Sequence, residues 1–184
     1  MTGIIDRALY ERALPFERYL DSVEKHPELW RGVYRTATLE AEAVNRLRQV
    51  QGVWRLLAIS EDWCGDCVST LPIVARLAEA AGLEFRVVER DPNPELMDAH
   101  LTSGTRSIPV LIVLDDAYRE RGWWGPRPAK LQRWYRSEAV WLANEHRGRR
   151  KRAWYARDRG RSAVSELVEM IERAARLGTA HRNV

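Results

Sequence analysis

The chain has 184 residues, of which 45% are hydrophobic and 30% are charged, and this composition excludes a disordered polypeptide and predicts one folded domain with additions. The first residues carry too many charges for a secretory signal, and no later stretch holds the ~18 uninterrupted apolar residues of a membrane span, so we expect a cytoplasmic protein. The net charge of +4 is uneven, because residues 1–146 hold 19 Lys/Arg and 22 Asp/Glu whereas residues 147–184 hold 11 and 4.

The predicted elements alternate between helices and strands along the chain. Residues 1–52 show the apolar spacing of helices and form a predicted N-terminal helical extension. Residues 53–146 form a predicted core, in which one helix follows Cys67 and a long helix follows Pro128. Strands of this core are expected at residues 54–60, 84–90, 108–115 and 118–124. Residues 147–184 form a basic C-terminal helical extension that we expect to pack on the core within one overall domain.

This order of elements predicts an α/β protein. Strands that alternate with helices indicate a partly parallel sheet covered on both faces, and the closing hairpin makes the sheet mixed. We therefore expect a four-stranded mixed sheet flanked by helices, with extra helices at both termini. The first strand would end just before the segment "EDWCGDC" at residues 61–67, which places that segment at the sheet rim where ligands usually bind.

The segment "EDWCGDC" contains both cysteines of the chain, Cys64 and Cys67. In the cytoplasm such a pair is more often reactive or metal-binding than a permanent crosslink. A cysteine at a helix start has a stabilised thiolate, because unpaired N–H groups and the positive end of the helix dipole converge there. Cys64 is therefore the predicted nucleophile. Cys67, one turn further on the same face, is placed to attack a mixed disulfide formed by Cys64.

Two other uses of the cysteines fit the sequence less well. A zinc site needs four ligands, and the remaining candidates are scattered along the chain: His26, His100, His146 and His181. An inert pair in the core is disfavoured because Glu61, Asp62, Gly65 and Asp66 give the segment the composition of a polar loop. We therefore predict no metal and no cofactor other than the redox-active pair itself.

Several motifs together resemble the thioredoxin superfamily, and a bacterial branch with a "WCGDC" active site in particular. Trp63 precedes the dithiol, Pro72 falls where that family has a helix-kinking proline, and "SIP" at residues 107–109 matches the family's cis-proline signature. Gly125 matches a groove glycine, and "WGPRP" at residues 124–128 resembles a motif of the branch. The resemblance implies a thioredoxin-like fold, a cis peptide bond before Pro109 and dithiol–disulfide exchange.

The resemblance also implies a substrate groove beside Cys64. In the family the backbone of the residue before the cis-proline, here Ile108, pairs with an extended substrate segment, which gives affinity without demanding a particular sequence. Trp63, Pro109 and Trp124 would line this groove, with Gly125 at its edge. A buried core position is an equal alternative for Trp124.

Two departures from thioredoxin concern the movement of protons. Ala58 stands where thioredoxin has a buried aspartate, and Val87 stands where it has the lysine partner of that aspartate. Water, Asp62 or Asp66 would then have to accept protons from the dithiol and return them. A carboxylate at Asp66 either simply complements the helix dipole or opposes formation of the Cys64 thiolate, which makes the pair more reducing.

The predicted function is that of a thiol–disulfide oxidoreductase of thioredoxin type, most simply a cytosolic disulfide reductase. Its substrates would be disulfide-containing proteins or low-molecular-weight disulfides, and a cytosolic reductase or thiol would donate electrons. The alternative is a non-catalytic adaptor that acts through the basic tail. Residues 147–161 interleave arginines with Trp154 and Tyr155, but a helix docked on the core explains this pattern better than nucleic-acid binding does.

Overall fold

The computed structural model describes residues 4–180, so His181 lies outside the described residues. The described chain contains a sheet in the order β1-β3-β2-β4-β5. Its strands are β1 Leu14–Pro15, β2 Arg55–Ser60, β3 Glu84–Glu89, β4 Val110–Leu114 and β5 Glu120–Trp124. β2 is parallel to β3 and antiparallel to β4, while β1 and β5 pair antiparallel at the two edges. The predicted α/β class with a mixed sheet is confirmed.

The predicted number of strands was wrong, because the sheet has five strands and not four. The additional strand is β1, in which Leu14 and Pro15 pair with Val87 and Arg86 of β3. Two residues are too few to show the alternating pattern by which a strand is recognised in a sequence. The proline has no backbone N–H, which restricts such a strand to the edge of a sheet.

The helices of the described chain are α1 Arg7–Arg12, α2 Phe16–Ser22, α3 Pro27–Thr36, α4 Ala41–Gln49, α5 Gly65–Ala81, α6 Pro94–Asp98, α7 Ala129–Ser137, α8 Asn144–Asp158 and α9 Arg161–Ala180. The long helix expected after Pro128 ends at Ser137, and a short 3-10 turn, Ala139–Trp141, follows it. At this turn Ala139 is fully buried whereas Trp141 is 85% exposed, and the extended backbone of Leu142 separates the turn from α8.

The N-terminal helices contribute large aromatic side chains to the core. Phe16 of α2 stacks on Phe85 of β3 with ring centroids 5.3 Å apart. Tyr19 of α2 meets Trp30 of α3 edge to face at 5.6 Å, and both side chains are almost fully buried. Each such side chain removes a large apolar area from water, so this region is part of the hydrophobic core.

The C-terminal helix α9 packs on α4, α5 and β5. Its apolar stripe is buried, with Leu167, Val168 and Ile171 fully inaccessible. Arg46 of α4 makes two hydrogen bonds to the Glu172 carboxylate of α9, at 2.9 and 2.8 Å. Between residues 4 and 180 no helix has the length and apolar character that crossing a membrane requires.

Candidate active site

The dithiol lies where β2 gives way to α5. Cys64 caps the N-terminus of α5, and its Sγ accepts a hydrogen bond from the backbone N–H of Cys67 at 3.3 Å. Both cysteines are free thiols. Cys64 retains 7% exposure whereas Cys67 has none, so only the first sulfur is open to an incoming disulfide.

The surroundings of the two sulfurs shift their pKa values in opposite directions. The pKa of Cys64 is lowered, chiefly because the Cys67 thiol donates a hydrogen bond to it, and burial and the Asp66 charge oppose this shift. The pKa of Cys67 is raised well above its ordinary value, first by complete burial and then by its interaction with Cys64. This asymmetry suits a nucleophile paired with a protonated second thiol.

The residue before the predicted cis-proline faces the dithiol. The Ile108–Pro109 peptide bond is cis, as the resemblance implied. The Cys64 thiol donates to the carbonyl oxygen of Ile108 at 3.5 Å, and both Ile108 and Pro109 are buried. Backbone atoms beside Cys64 are therefore contributed by a loop that is distant in sequence.

Gly125 holds the strand end beside this proline at close range. Its φ of +140° is a backbone conformation that favours glycine, and a Cβ built there would lie 2.1 Å from the carbonyl oxygen of Pro109. The next peptide bond, Gly125–Pro126, is also cis, which the sequence did not predict. No larger residue fits at position 125 without moving the Pro109 backbone.

The two candidate groove tryptophans lie in different environments. Trp63 is 51% exposed next to Cys64, and the Arg90 guanidinium lies 5.0 Å from its ring centroid. Trp124 is only 8% exposed, and its Nε1 donates to Glu166 Oε2 of α9 at 2.6 Å. Trp124 therefore occupies the core position that the sequence left open as an alternative.

Asp62 ties the active-site loop to the N-terminal helices. Its Oδ2 accepts hydrogen bonds from the backbone N–H groups of Glu24 at 3.0 Å and Lys25 at 2.8 Å. Its carbonyl oxygen accepts from Trp30 Nε1 at 3.0 Å. The carboxylate and the backbone of Asp62 therefore hold the segment between α2 and α3, and α3 itself, against the loop.

Asp66 is buried, contrary to the polar loop expected from the sequence, with 3% of its surface exposed. Arg127 Nη2 lies 2.7 Å from Oδ2 and Lys151 Nζ lies 3.0 Å from the same oxygen. The hydroxyl of Tyr155 donates to Oδ1 at 3.0 Å, and burial together with the Asp66 charge raises the pKa of this phenol, which stays a neutral donor. We call these four residues the Asp66 cluster.

The sequence did not reveal the three partners of Asp66. Arg127 belongs to the "WGPRP" motif, and Lys151 and Tyr155 belong to the basic stretch that was expected to dock on the core. The spacing of Lys151 and Tyr155 could have shown that the two side chains act together, because residues at i and i+4 share one helix face. Their target was not predictable, because Asp66 was assigned to a solvated loop.

The two positions at which thioredoxin has a buried aspartate and its lysine partner are occupied in this chain by adjacent apolar residues. Ala58 of β2 and Val87 of β3 are register partners, and both are buried. The polar side chain of β2 that lies nearest to Ala58 in sequence is Ser60, which is fully buried. Its Oγ lies 3.0 Å from the hydroxyl oxygen of Tyr19. Neither Ser60 nor Tyr19 was singled out from the sequence.

Potential metal ligands are not concentrated at this site. Within residues 4–180, no group of three or more His, Cys, Asp and Glu side chains is arranged to hold a metal ion. His100 instead contacts the carbonyl oxygen of Leu96 at 2.7 Å and Glu120 Oε2 at 3.0 Å.

Together, the mixed sheet and the dithiol at the start of α5, facing a cis-proline, define a thioredoxin-like α/β protein. A family model described as thioredoxin matches residues 13–141, which is more than half of the chain. The chain therefore belongs to the thioredoxin family. No curated protein matches its sequence.

Solved structures with low sequence identity share this fold. The 1.5 Å crystal structure of a protein of unknown function from Pseudomonas aeruginosa has a TM-score of 0.74 and 19% identity, and the match covers 92% of this chain and 98% of that one. An HIV epitope scaffold has a TM-score of 0.70 and 17% identity, with 91% and 98% covered. At these identities the likeness concerns the fold alone.

Proposed function

We propose that the protein is a thiol–disulfide oxidoreductase, with Cys64 as the nucleophile and Cys67 as the resolving thiol. The observation that carries the proposal is the asymmetric dithiol: Cys64 has a lowered pKa and caps the N-terminus of α5, whereas Cys67 is fully buried one turn away. A structural or binding role would not require this difference between the two sulfurs.

The reaction would proceed by two exchanges. The Cys64 thiolate attacks one sulfur of a substrate disulfide, forms a mixed disulfide and expels the other substrate sulfur as a thiol. Cys67 then attacks Cys64 Sγ, which closes the internal disulfide and releases the second substrate thiol. The Ile108 backbone and the exposed face of Trp63 are proposed to hold an extended substrate beside Cys64.

The direction and partners belong to the same proposal. We infer a cytoplasmic disulfide reductase, whose substrates are protein or low-molecular-weight disulfides and whose dithiol is restored by a cytosolic reductase or thiol. The "WCGDC" motif supports placement with the bacterial branch of that motif. We propose that residues 53–146 form the redox core and that residues 1–52 and 147–184 are helical extensions around it.

The first test is reduction of insulin disulfides by the purified protein with dithiothreitol as the electron source. The wild type should accelerate precipitation of the insulin chains, whereas Cys64→Ser should not. A Cys67→Ser variant should accumulate mixed disulfides with added substrate, seen on non-reducing gels, because it cannot complete the second exchange. Equal inactivity of the wild type and both variants in reduction and trapping would refute the proposal.

The alternative, an adaptor that acts through the basic tail, is less well supported. Lys151 and Tyr155 of that tail point into the protein and contact Asp66 beside the dithiol, so part of its basic character is used internally. An adaptor would bind its partner equally well when both cysteines are replaced by serine. A loss of binding in the double variant would instead favour the redox role.

A further inference from the structure

A groove of about 640 Å³ lies between α3, α5 and α8, and we call it the α3–α5–α8 groove. Its lining is mostly apolar, with side chains contributed by Leu29, Val33, Val68, Ile73 and Ala156. Cavities of this size that are apolar and carry a few placed polar groups are typical of small-molecule sites. No role has been assigned to this groove by the dithiol chemistry above.

The groove begins next to the dithiol and follows α5. Gly65, which lies between the two cysteines in sequence, lines it, and a Cβ built there would meet no atom within 4 Å. Tyr155 of α8 contacts Asp66 near the start of α5, whereas Gly160 lies so close to Ile73 that a Cβ there would be 2.5 Å from its Cδ1. α8 therefore runs beside α5 in the same direction, and the groove extends about 12 Å from Gly65 to Ile73 at the helical rise of ~1.5 Å per residue.

Two exposed arginines edge the groove, Arg152 in α8 near the dithiol and Arg159 just after α8 at the far end. Within residues 4–180 neither guanidinium forms an ion pair. Glu40 and Glu42 adjoin Arg159 in a separate, smaller cavity, and Glu145 lies seven residues before Arg152. The other carboxylates of α3, α5 and α8 have partners, namely Glu28 with Arg31, Asp66 with Arg127 and Lys151, Glu79 with Arg76, and Asp158 with Ser162. An apolar surface edged by unpaired positive charge is complementary to an apolar anion.

The position of the groove favours a small disulfide over a protein segment as its occupant. The proposed place of an extended protein substrate is the backbone of Ile108, which does not line the groove. Tyr155 lines the groove and is fixed by its hydrogen bond to Asp66, so this wall exists before a ligand arrives. A preformed site lowers the ordering cost of binding, which matters most for a ligand with few atoms.

We propose that the α3–α5–α8 groove binds the apolar stem of a low-molecular-weight disulfide whose stem ends in a carboxylate. The inference rests on the proposed oxidoreductase function and names its substrate class. With the disulfide beside Cys64, the stem lies on Val68 and Ile73, and the carboxylate pairs with Arg152 or, for a longer stem, with Arg159. Both arginines act on substrate choice and do not contact the reacting sulfurs.

The reaction with such a substrate is balanced. The Cys64 thiolate attacks the substrate sulfur whose stem occupies the groove, and the other half of the substrate leaves as a thiolate that takes up one proton. Cys67 then loses its proton and attacks Cys64 Sγ, which breaks the bond to the bound half and releases it as the second thiol. The protein dithiol loses two electrons, and the substrate disulfide gains the same two electrons.

Three symmetrical disulfides separate the contributions of charge and stem. The disulfide of 6-mercaptohexanoate carries both features, that of 6-mercaptohexan-1-ol lacks the charge, and that of 3-mercaptopropionate lacks three methylenes of the stem. The reduced protein, freed of reductant, is mixed with each disulfide, and the remaining protein thiols are counted by alkylation and mass spectrometry. Each rate is divided by the rate of the same disulfide with dithiothreitol, which corrects for intrinsic reactivity. We expect the hexanoate to react about five-fold faster than the alcohol and about ten-fold faster than the propionate.

A matched pair of double variants tests the role of the charges. Arg152→Gln/Arg159→Gln should abolish the preference for the hexanoate over the alcohol. Arg150→Gln/Arg157→Gln removes the same charge from exposed positions of α8 that do not line the groove, and it should keep the wild-type preference. An equal loss in both double variants would show that the general charge of the tail acts, and it would overturn the inference.

A second matched pair tests the apolar groove itself. Ala156→Phe places a ring in the groove from an exposed position of α8, and it should remove the preference for the hexanoate over the propionate. Ala153→Phe adds the same ring at an exposed position outside the lining and should keep this preference. If Ala156→Phe slowed the reduction of insulin but not that of the hexanoate disulfide, the occupant would be a protein segment and the inference would be wrong.

Binding can also be measured without the thiols, which separates this inference from the proposed function. In a Cys64→Ser/Cys67→Ser variant, the fluorescent apolar anion anilinonaphthalenesulfonate should bind, and octanoate should displace it at lower concentrations than octan-1-ol. Adding Ala156→Phe should weaken both. Equal rates for the three disulfides in the wild type, while insulin is still reduced, would overturn the inference and leave the oxidoreductase function standing. A wild type that reduces neither insulin nor any of the disulfides would instead refute the oxidoreductase function.

Discussion

Asp62 and Asp66 lie on either side of Cys64, yet the structure uses their carboxylates in different ways. The Asp62 carboxylate accepts exposed hydrogen bonds from two backbone N–H groups of the N-terminal extension. Asp66 is buried between two cations and a phenol, of which Lys151 and Tyr155 come from the C-terminal extension. Each extension therefore contacts the dithiol segment at one aspartate. The comparison teaches that closeness in sequence to Cys64 does not decide the environment of a carboxylate, because its contact partners do.

The largest expected effect is on stability after removal of the Asp66 carboxylate. Asp66→Ala leaves Arg127 and Lys151 without their shared anion in a site where their side chains are 11% and 20% exposed. We expect the free energy of unfolding to fall by about 3–5 kcal/mol, as for a broken buried ion pair. Urea denaturation measures this, and a loss below about 1 kcal/mol would contradict the buried cluster.

A smaller loss is expected for Tyr155→Phe. The variant keeps the packing of the ring but removes the hydroxyl that donates to Asp66 Oδ1. A hydrogen bond to a charged group contributes about 1.5–3 kcal/mol, so the urea midpoint should fall accordingly. Tyr10→Phe is the control for deleting a buried phenol oxygen and should be nearly neutral, and an equal effect of both variants would count against the Asp66 cluster.

The third expectation concerns the redox potential. The Asp66 charge raises the pKa of Cys64, so Asp66→Asn should lower that pKa, stabilise the reduced dithiol and make the potential less negative. One pKa unit is about 1.4 kcal/mol, which corresponds to about 30 mV for a two-electron couple. Equilibration with glutathione buffers measures the potential, and the pH dependence of alkylation measures the Cys64 pKa.

Asp62→Asn is the matched control for this measurement. It removes the same charge two residues before Cys64, where the carboxylate faces backbone amides of the N-terminal extension. Its potential should stay closer to that of the wild type. If both substitutions shift the potential equally, the general loop charge matters and not the buried site. An unchanged potential in Asp66→Asn would remove the charge argument altogether.

The smallest expected effect is that of Asp62→Ala on stability. Its hydrogen bonds to Glu24 and Lys25 are exposed, and water can replace the carboxylate as their acceptor. We expect a loss of about 1 kcal/mol or less. Limited proteolysis between α2 and α3 should nevertheless become faster, since the loop no longer fastens that segment. A stability loss as large as that of Asp66→Ala would erase the contrast between the two carboxylates.

The parts of the fold that follow local patterns were predictable from the sequence. The apolar runs that became β2, β3 and β4 and the apolar face of α5 have the periods of their elements. The dithiol and the cis-proline were found because their motifs are short and contiguous. The Leu14–Pro15 strand was missed because its two residues acquire strand character only by pairing with β3.

The least predictable part of the site is its buried polar network. Asp66 and Tyr155 are 89 residues apart, and Tyr19 and Ser60 are 41 apart, so no local spacing connects them. In sequence, an aspartate between two cysteines has the composition of a solvated loop. The Asp66 charge can be buried because Arg127 and Lys151 of α8 form ion pairs with it in the folded protein.

The members of the Asp66 cluster are synthesised at different times, because they are far apart in sequence. Cys64, Asp66 and Cys67 are synthesised before α8, whose Lys151 and Tyr155 follow Asp66 by 85 and 89 residues. A chain made from its N-terminus therefore presents both thiols before the groups that neutralise their neighbouring carboxylate exist. A nascent or truncated chain that stops before α8 would contain both thiols but lack Lys151 and Tyr155, which contact the carboxylate between them.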